Sequence, residues 1–181
     1  IYYGIRSRLE GEVFDSCRCS RTLARTLIRN HVPFGVTGAF HRLDGYKALF
    51  APMLSALEEK DNARLTAYVE NGGTLYLSGF GNAKLVETLT GHTLLRTTQE
   101  SRVYLAPTAG YADVFGWFNE KYPLPFDSAA PVVRPGEGCE IVATLTLPYT
   151  VPQADAFASI HSDPPGIATD IPAVTISRFG K

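Results

Sequence analysis

The sequence has 181 residues, the length of one domain or of one domain with a large insertion. Hydrophobic residues make up 45% and charged residues 19%, which is typical of a folded globular protein and excludes a disordered or fibrous chain. The net charge of -1 provides no basic field for a phosphate backbone or an anionic membrane surface, so we expect neither nucleic acid nor membrane as a partner.

The first 40 residues predict a strand, a helix and a second strand. The apolar run at residues 1–5 is typical of a buried strand. A helix is predicted between Asp15 and Asn30 because apolar residues recur there at helical spacing: Cys19, Leu23, Leu27 and Ile28. Residues 34–40 predict the next strand, so this segment is a βαβ unit.

A second unit of the same kind follows. Residues 46–51 predict a strand that stops at Pro52, since proline cannot donate to a sheet. Ser55 and Glu58 have the spacing of a capping box, which predicts a helix that begins at Ser55. The inward stripe of that helix is Leu57, Leu65, Tyr68 and Val69.

The end of this second unit carries clear stop signals. Residues 71–73, Asn-Gly-Gly, predict a left-handed helix cap, and residues 74–78 predict the returning strand. A short helix from Asn82 to Leu89, ended at Gly91, completes the segment.

Strands joined by helices run parallel with right-handed crossovers. We therefore expect an α/β fold: a doubly wound, flavodoxin-like, mostly parallel sheet in residues 1–92, with helices on both faces. Residues 93–181 differ, because the predicted strands at 102–106, 140–147 and 173–179 are joined by long loops rich in proline and glycine. The sequence predicts an antiparallel, loop-rich extension there, within a single domain of residues 1–181.

The cysteines bear on the cellular compartment of the protein, and the single methionine bears on whether the sequence is part of a longer one. Cys17 and Cys19 would point about 200° apart on a helix and cannot share a metal ion, and Cys139 is distant. We expect reduced structural cysteines, no metal, no cofactor and a cytoplasmic location. The chain starts at Ile1 and its single methionine is Met53, so we expect a piece of a longer protein.

Ligands of doubly wound sheets bind beyond the carboxyl ends of the strands. There, Gly79-Phe80-Gly81 lacks the third glycine of a nucleotide fingerprint, and a plain turn is the favoured interpretation. Ser78 stands where a nucleophile would stand, but without the GxSxG frame. A hydrolytic triad would need His161 with Asp163 or Asp170 from the late loops, so we keep it as an alternative.

Two charged groups have a structural and a functional interpretation. Glu58 and Glu59 are explained as a helix cap and a partner of the helix dipole. A row of arginines with helical spacing, Arg18, Arg21, Arg25 and Arg29, places four guanidinium groups on one face. This face is either a solvated outer surface or a contact for an acidic patch on another subunit or domain.

The segment Phe157–Gly166 holds His161, Ser162 and Asp163, a polar cluster bounded by prolines. The stiff prolines fix this polar cluster at low entropic cost, so it is either an ordered surface loop or a binding loop. Tyr3, Trp117 and Phe118 could serve as sugar-stacking platforms, but burial in the core is the favoured interpretation of these aromatic residues.

Several of these segments resemble the middle, trimerisation domain of glycoside hydrolase family 42 β-galactosidases and related β-galactosidase-like proteins. The resemblance is carried by YKALFAPM at 46–53 and by residues 65–69 leading into ENGGTL at 70–75. The stretches FASIHSDPPG and TDIPAVTISRFGK look like the end of such domains.

The resemblance implies a fold similar to class I glutamine amidotransferases without their catalytic residues, following a catalytic (β/α)₈ barrel on the same chain. It also implies a homo-oligomer. We therefore expect a non-catalytic accessory and oligomerisation domain of a carbohydrate-active enzyme. The alternatives are an amidotransferase-like or ThuA-like hydrolase around Ser78 and His161, and a sugar-binding module.

Overall fold

The computed structural model describes residues 1–3, 10–38, 41–54, 57–150 and 163–180; side chains are described for Ile1, Tyr2 and, within these ranges, from Arg18 onward. The chain forms two compact units, Ile1–Gly91 with Arg178–Lys181, and His92–Ser177. The organisation as a single amidotransferase-like domain stays a prediction.

The first unit alternates strands and helices in chain order. Its elements are β1 (Tyr2–Tyr3), α1 (Glu10–Arg29), β2 (Thr37–Gly38), β3 (Ala48–Ala51), α2 (Glu59–Glu70), β4 (Thr74–Leu77) and α3 (Ala83–Thr90). β1 pairs with β2 and β3 pairs with β4, and both pairs are parallel. Parallel strands joined by helices are what the βαβ pattern predicts.

The core of this unit is one cluster of apolar side chains. Leu49 from β3, Leu65 from α2 and Leu85 from α3 are fully or almost fully buried in it, together with Tyr2, Leu43, Ala51, Leu54 and Leu89. Leu57, Tyr68 and Val69 pack against the cluster, so the predicted inward stripe of α2 is confirmed. Area burial of this kind supplies most of the stability of a small unit.

The ends of the helices are set by local backbone chemistry. At the end of α2, the Gly73 N–H bonds the Tyr68 carbonyl and the Gly72 N–H bonds the Val69 carbonyl, with Gly72 at φ +91°. This is the predicted left-handed cap, which glycine adopts without strain. In α3 the Asn82 side chain accepts a hydrogen bond from the Leu85 N–H, and the helix ends at a left-handed Gly91, as predicted.

The start of α2 differs from the prediction. The helix begins at Glu59, and Glu58 is the N-cap residue with an extended backbone and no capping side-chain bond. A capping box that starts the helix at Ser55 is therefore wrong, and Ser55 itself lies outside the described residues. Glu59 and Asp61 in the first turn favour this start, because acidic groups there interact well with the helix dipole.

The expected doubly wound parallel sheet is not confirmed. Within the described residues, the two parallel pairs are separate two-stranded sheets, and β2 contains two residues where seven were expected. The fold is a mixture of α and β elements in which antiparallel pairing predominates. Ile28, predicted on the inner face of α1, is 63% exposed, while Cys19, Leu23 and Leu27 are half-buried.

The second unit is built from antiparallel strands. Its elements are β5 (Thr93–Thr97), β6 (Val103–Pro107), a 3₁₀ helix (Ala109–Phe115), β7 (Leu124–Phe126), β8 (Pro131–Arg134), β9 (Glu140–Pro148) and β10 (Pro165–Ile176). One sheet has the order β10-β9-β6-β7, and β5 pairs with β8 in another. The antiparallel character agrees with the expected extension.

The predicted strands of this unit are found with shifted ends. β6 and β9 lie within a residue of their expected bounds, but β10 begins at Pro165 rather than near Ala173. β10 is an edge strand, where proline is tolerated, and its register shifts around Pro172. The small core of the sheet contains Val103, Ala130 and Leu145.

Candidate functional site

The carboxyl ends of β3 and β4 form the edge where a ligand was expected. Ser78 follows β4, and its hydroxyl accepts a hydrogen bond of 2.8 Å from the backbone N–H of Met53, which follows β3. Met53 has a left-handed backbone at φ +50°, unusual for a residue with a side chain. The Ser78 hydroxyl, which was considered as a nucleophile, therefore has a structural role: it stabilises a strained backbone turn.

The glycines after Ser78 also behave as a turn. Gly79 is left-handed at φ +73°, and a Cβ atom there would lie 3.3 Å from the Met53 sulfur. Gly79-Phe80-Gly81 leads into α3, whose N-terminal amide of Leu85 is already bonded by the Asn82 side chain. Helix amides that would bind a phosphate are thus partly used by the protein itself.

The remaining members of the hydrolytic alternative belong to the second unit. His161 and Ser162 lie outside the described residues. The Asp163 carboxylate accepts a hydrogen bond of 3.3 Å from the Thr150 N–H, and Asp170 is exposed. The triad and the loop cluster of His161, Ser162 and Asp163 stay predictions.

One histidine is buried and fully bonded. The Nδ1 atom of His92 accepts a 2.8 Å hydrogen bond from the Gly136 N–H, so Nε2 carries the proton and donates to the Thr175 hydroxyl at 2.8 Å. Burial lowers the pKa of His92, because desolvation disfavours the charged ring. His92 is held as a neutral structural residue between β5, β10 and the turn after β8.

Across the described residues, no cluster of three or more histidine, cysteine, aspartate or glutamate side chains could hold a metal ion. Cys19 and Cys139 are free thiols and half-buried. Among the described helices, none has the length and apolar character needed to cross a membrane.

The arginine row of α1 consists of Arg18, Arg21, Arg25 and Arg29, and all four residues are exposed. An exposed apolar strip accompanies this row at and beyond the end of the helix, formed by Ile28, Val32, Phe34 and Val36. Such a strip next to guanidinium groups has the composition of an interface, where arginine and apolar side chains are enriched.

A second exposed surface, which we term the aromatic loop, spans residues 114–122 and begins at the end of the 3₁₀ helix. Four of its apolar side chains are exposed: Val114, Trp117, Phe118 and Tyr122. Trp117 is 94% exposed, so its expected burial is wrong. Phe118 is also partly exposed, and the side chain of Tyr3 lies outside the described residues.

The aromatic loop is fixed by its own hydrogen bonds. The Asn119 side-chain oxygen accepts bonds of 2.9 Å from the Lys121 N–H and 3.1 Å from the Tyr122 N–H. The Asn119 N–H in turn donates to the Tyr122 carbonyl, and the Phe118 N–H to the Phe115 carbonyl. A rigid turn holds the exposed rings, which lowers the entropy cost of binding through them. The composition of this segment did not indicate that its rings are exposed. Asparagine is a common turn residue, however, so Asn119 could have predicted the turn.

A family of known proteins matches most of the chain. The profile of the family described as β-galactosidase trimerisation domain matches residues 20–181. The chain therefore belongs to the trimerisation-domain family of the β-galactosidases. Among curated proteins, no sequence matches the chain.

Solved structures share the fold. An α-L-fucosidase isoenzyme 2 from Paenibacillus thiaminolyticus has a TM-score of 0.70 at 20% identity, covering 86% of this chain and 24% of that one. A cold-adapted β-galactosidase from Rahnella sp. R3 has a TM-score of 0.60 at 22% identity, with 97% and 24% covered.

A smaller protein, described as ThuA-like, from Bacteroides uniformis has a TM-score of 0.62 at 13% identity, covering 98% of this chain and 76% of that one. This chain thus spans about a quarter of the two enzymes and most of the ThuA-like protein. At these identities the similarity concerns the fold.

Proposed function

We propose that this chain is a non-catalytic oligomerisation domain of a larger β-galactosidase-like glycoside hydrolase, with a catalytic barrel on the same parent chain. The single observation that supports this most is the trimerisation-domain match over residues 20–181. The Ser78 hydroxyl bonds the Met53 backbone. This structural role supports the absence of a nucleophile in the turn after β4.

The symmetry of a trimer explains why two different surfaces would be needed. A closed ring of three subunits uses a heterologous contact, in which one patch of each subunit meets a different patch of the next. The arginine row on the first unit and the aromatic loop on the second unit are two such patches. We assign them as the two sides of the contact.

The chemistry of these patches is complementary. A guanidinium group stacks on the face of a tryptophan or tyrosine ring and bonds carboxylates through its planar fork. Exposed Trp117 provides a ring face, and exposed Asp113 and Glu120 provide carboxylates near it in sequence. The Tyr122 ring is also exposed, but the Lys121 ammonium already lies 5.2 Å from its centroid. The exposed apolar strip from Ile28 to Val36 would add apolar area to the same contact.

The finer description of the fold belongs to this proposal. The two parallel pairs, joined by α1 and α2, support a doubly wound, flavodoxin-like and amidotransferase-like first half. The free thiols of Cys19 and Cys139 support a cytoplasmic location, since reducing compartments keep thiols unpaired.

The oligomeric state of the 181-residue chain tests the proposal. We expect sedimentation equilibrium to give a trimer. Trp117→Ala should raise the protein concentration at which half of the trimer is dissociated at least tenfold, because a central aromatic anchor contributes about 2 kcal/mol or more. Arg21→Glu or Arg25→Glu should have a similar effect.

Matched controls use exposed residues outside both surfaces. Tyr149→Ala is the control for the tryptophan and Arg134→Glu for the arginines, since both side chains are exposed. A strict monomer at high concentration, or equal effects of test and control variants, would contradict the assignment. Hydrolase activity that disappears in Ser78→Ala would instead support the ThuA-like alternative.

A further inference from the structure

The second unit contains a cavity of about 300 Å³ that no function discussed so far uses. It lies beside β5 and the turn that follows, over β9 and β10. Its lining residues are Arg96, Thr98, Gln99, Glu100, Leu147 and Ile171. The volume is at the lower end of the range of about 300–1,000 Å³ that is typical of small-molecule sites.

Glu100 is the unusual member of this lining. Its side chain is 9% exposed, yet within the described part of the chain its carboxylate has neither a hydrogen bond nor an ion pair. The neighbouring Thr98 hydroxyl, by contrast, donates to the Glu100 carbonyl and accepts from the Ala130 N–H. The Glu100 carboxylate lines the cavity as an acceptor, to which a bound ligand can donate hydrogen bonds.

Arg96 adds a strong donor to the same cavity. It lies on β5, and no ion pair joins its guanidinium to the Glu100 carboxylate, although both groups line the cavity. The amide of Gln99 offers a donor and an acceptor between them in sequence. An occupant that fits must therefore satisfy an anionic acceptor and a cationic donor together.

The floor of the cavity is apolar, since Leu147 from β9 and Ile171 from β10 form it. An apolar floor with a rim of charged hydrogen-bonding groups complements a sugar ring, which has C–H faces and a hydroxyl edge. We propose that this cavity binds a single pyranose, with hydroxyls donating to Glu100 and accepting from Arg96.

Other ligand classes fit less well. A metal cation would find one carboxylate and a repelling guanidinium, and a simple anion would find a repelling carboxylate. A zwitterionic amino acid could satisfy both charges, so it is the competing outcome of the test. The proposal does not depend on the oligomeric state, because every lining residue belongs to one unit.

The test titrates D-galactose and D-glucose into the 181-residue chain, with glycine as the zwitterionic probe. Saturation-transfer NMR and calorimetry should give millimolar binding of at least one sugar and none of glycine. Glu100→Gln and Arg96→Ala should each weaken sugar binding about tenfold or more, as expected for the loss of a charge-assisted hydrogen bond.

Stability provides an independent readout of Glu100. If the carboxylate serves a ligand, Glu100→Gln keeps the side-chain shape, breaks no hydrogen bond or ion pair among the described residues, and leaves the unfolding midpoint unchanged or raised. A lowered midpoint would assign Glu100 a structural role and overturn the proposal.

Arg134→Ala is the matched control, because Arg134 is exposed on β8, outside the cavity. Absence of sugar binding to the folded chain, preferential binding of glycine, or sugar binding unchanged in Glu100→Gln and Arg96→Ala would each overturn the proposal. The oligomerisation proposal predicts that Glu100→Gln and Arg96→Ala assemble like the wild type. Sedimentation of these two variants therefore distinguishes a failure of the sugar proposal from a failure of the oligomerisation proposal.

Discussion

The junction of α2 and α3 contains a buried amide pair that makes a quantitative prediction possible. The Asn82 side-chain nitrogen donates a 2.8 Å hydrogen bond to the Asn62 side-chain oxygen, and the Asn82 side-chain oxygen caps α3 through the Leu85 N–H. Asn82 is 4% exposed and Asn62 is 8% exposed, so water cannot readily replace either partner. Asn82→Ala removes both interactions at once.

The magnitude follows from the two losses. Loss of an N-cap side chain costs about 0.5–2 kcal/mol, and an orphaned buried amide oxygen on Asn62 costs about 1–3 kcal/mol. We therefore expect Asn82→Ala to lower the free energy of unfolding by about 1.5–5 kcal/mol. Asn82→Ser should lose less, because serine is also a good cap and only the bond to Asn62 disappears.

Urea unfolding followed by far-ultraviolet circular dichroism is the appropriate assay. The helices α1, α2 and α3 all belong to the first unit, so the helical signal reports on it. A double-mutant cycle with Asn62→Ala isolates the amide pair, and we expect a coupling energy of about 0.5–3 kcal/mol. A cost of Asn82→Ala below about 0.5 kcal/mol, the range of ordinary surface changes, would refute this reasoning.

Two further predictions concern a buried histidine and the core. The pKa of His92 is lowered from 6.5 in the fold, so its contribution to stability is fully present above about pH 6.5 and is lost as pH falls towards the lowered value. Below pH 6.5, the urea midpoint of the wild type should therefore decrease with falling pH more steeply than that of His92→Gln. The midpoint of the exposed variant His41→Gln should follow that of the wild type. Leu65→Ala should cost about 2–5 kcal/mol in the same assay, because Leu65 is fully buried. Exposed Leu95→Ala should cost less than about 0.5 kcal/mol; equal losses would contradict the assigned core.

The parts of the fold that could be predicted are those determined by near neighbours in sequence. The glycine cap after α2 and both ends of α3 depend on residues within a single turn, and their positions were predicted within a residue or two. The start of α2 was missed because Ser55 and Glu58 match a capping box in spacing alone. The acidic residues Glu59 and Asp61 gave a competing local signal for a later start.

Long-range pairing was harder to predict. β5 and β8 pair across more than thirty residues, and neither strand was expected, because antiparallel partners this distant leave no common signature in the sequence. Exposure was missed for a related reason. A tryptophan next to a phenylalanine is usually buried, whereas Trp117 is exposed beside the turn built around Asn119.

The polar groups at the strand ends of the first unit are bonded within the protein. In parallel α/β folds, ligands usually occupy the carboxyl edge of the strands. At that edge here, Ser78 bonds the Met53 backbone and Asn82 caps α3, so the protein's own polar groups use positions that a ligand would need. Glu100 and Arg96, which line the proposed sugar cavity, belong instead to the antiparallel unit. If the sugar proposal is correct, binding in this chain uses the antiparallel strands rather than the carboxyl edge of the parallel ones.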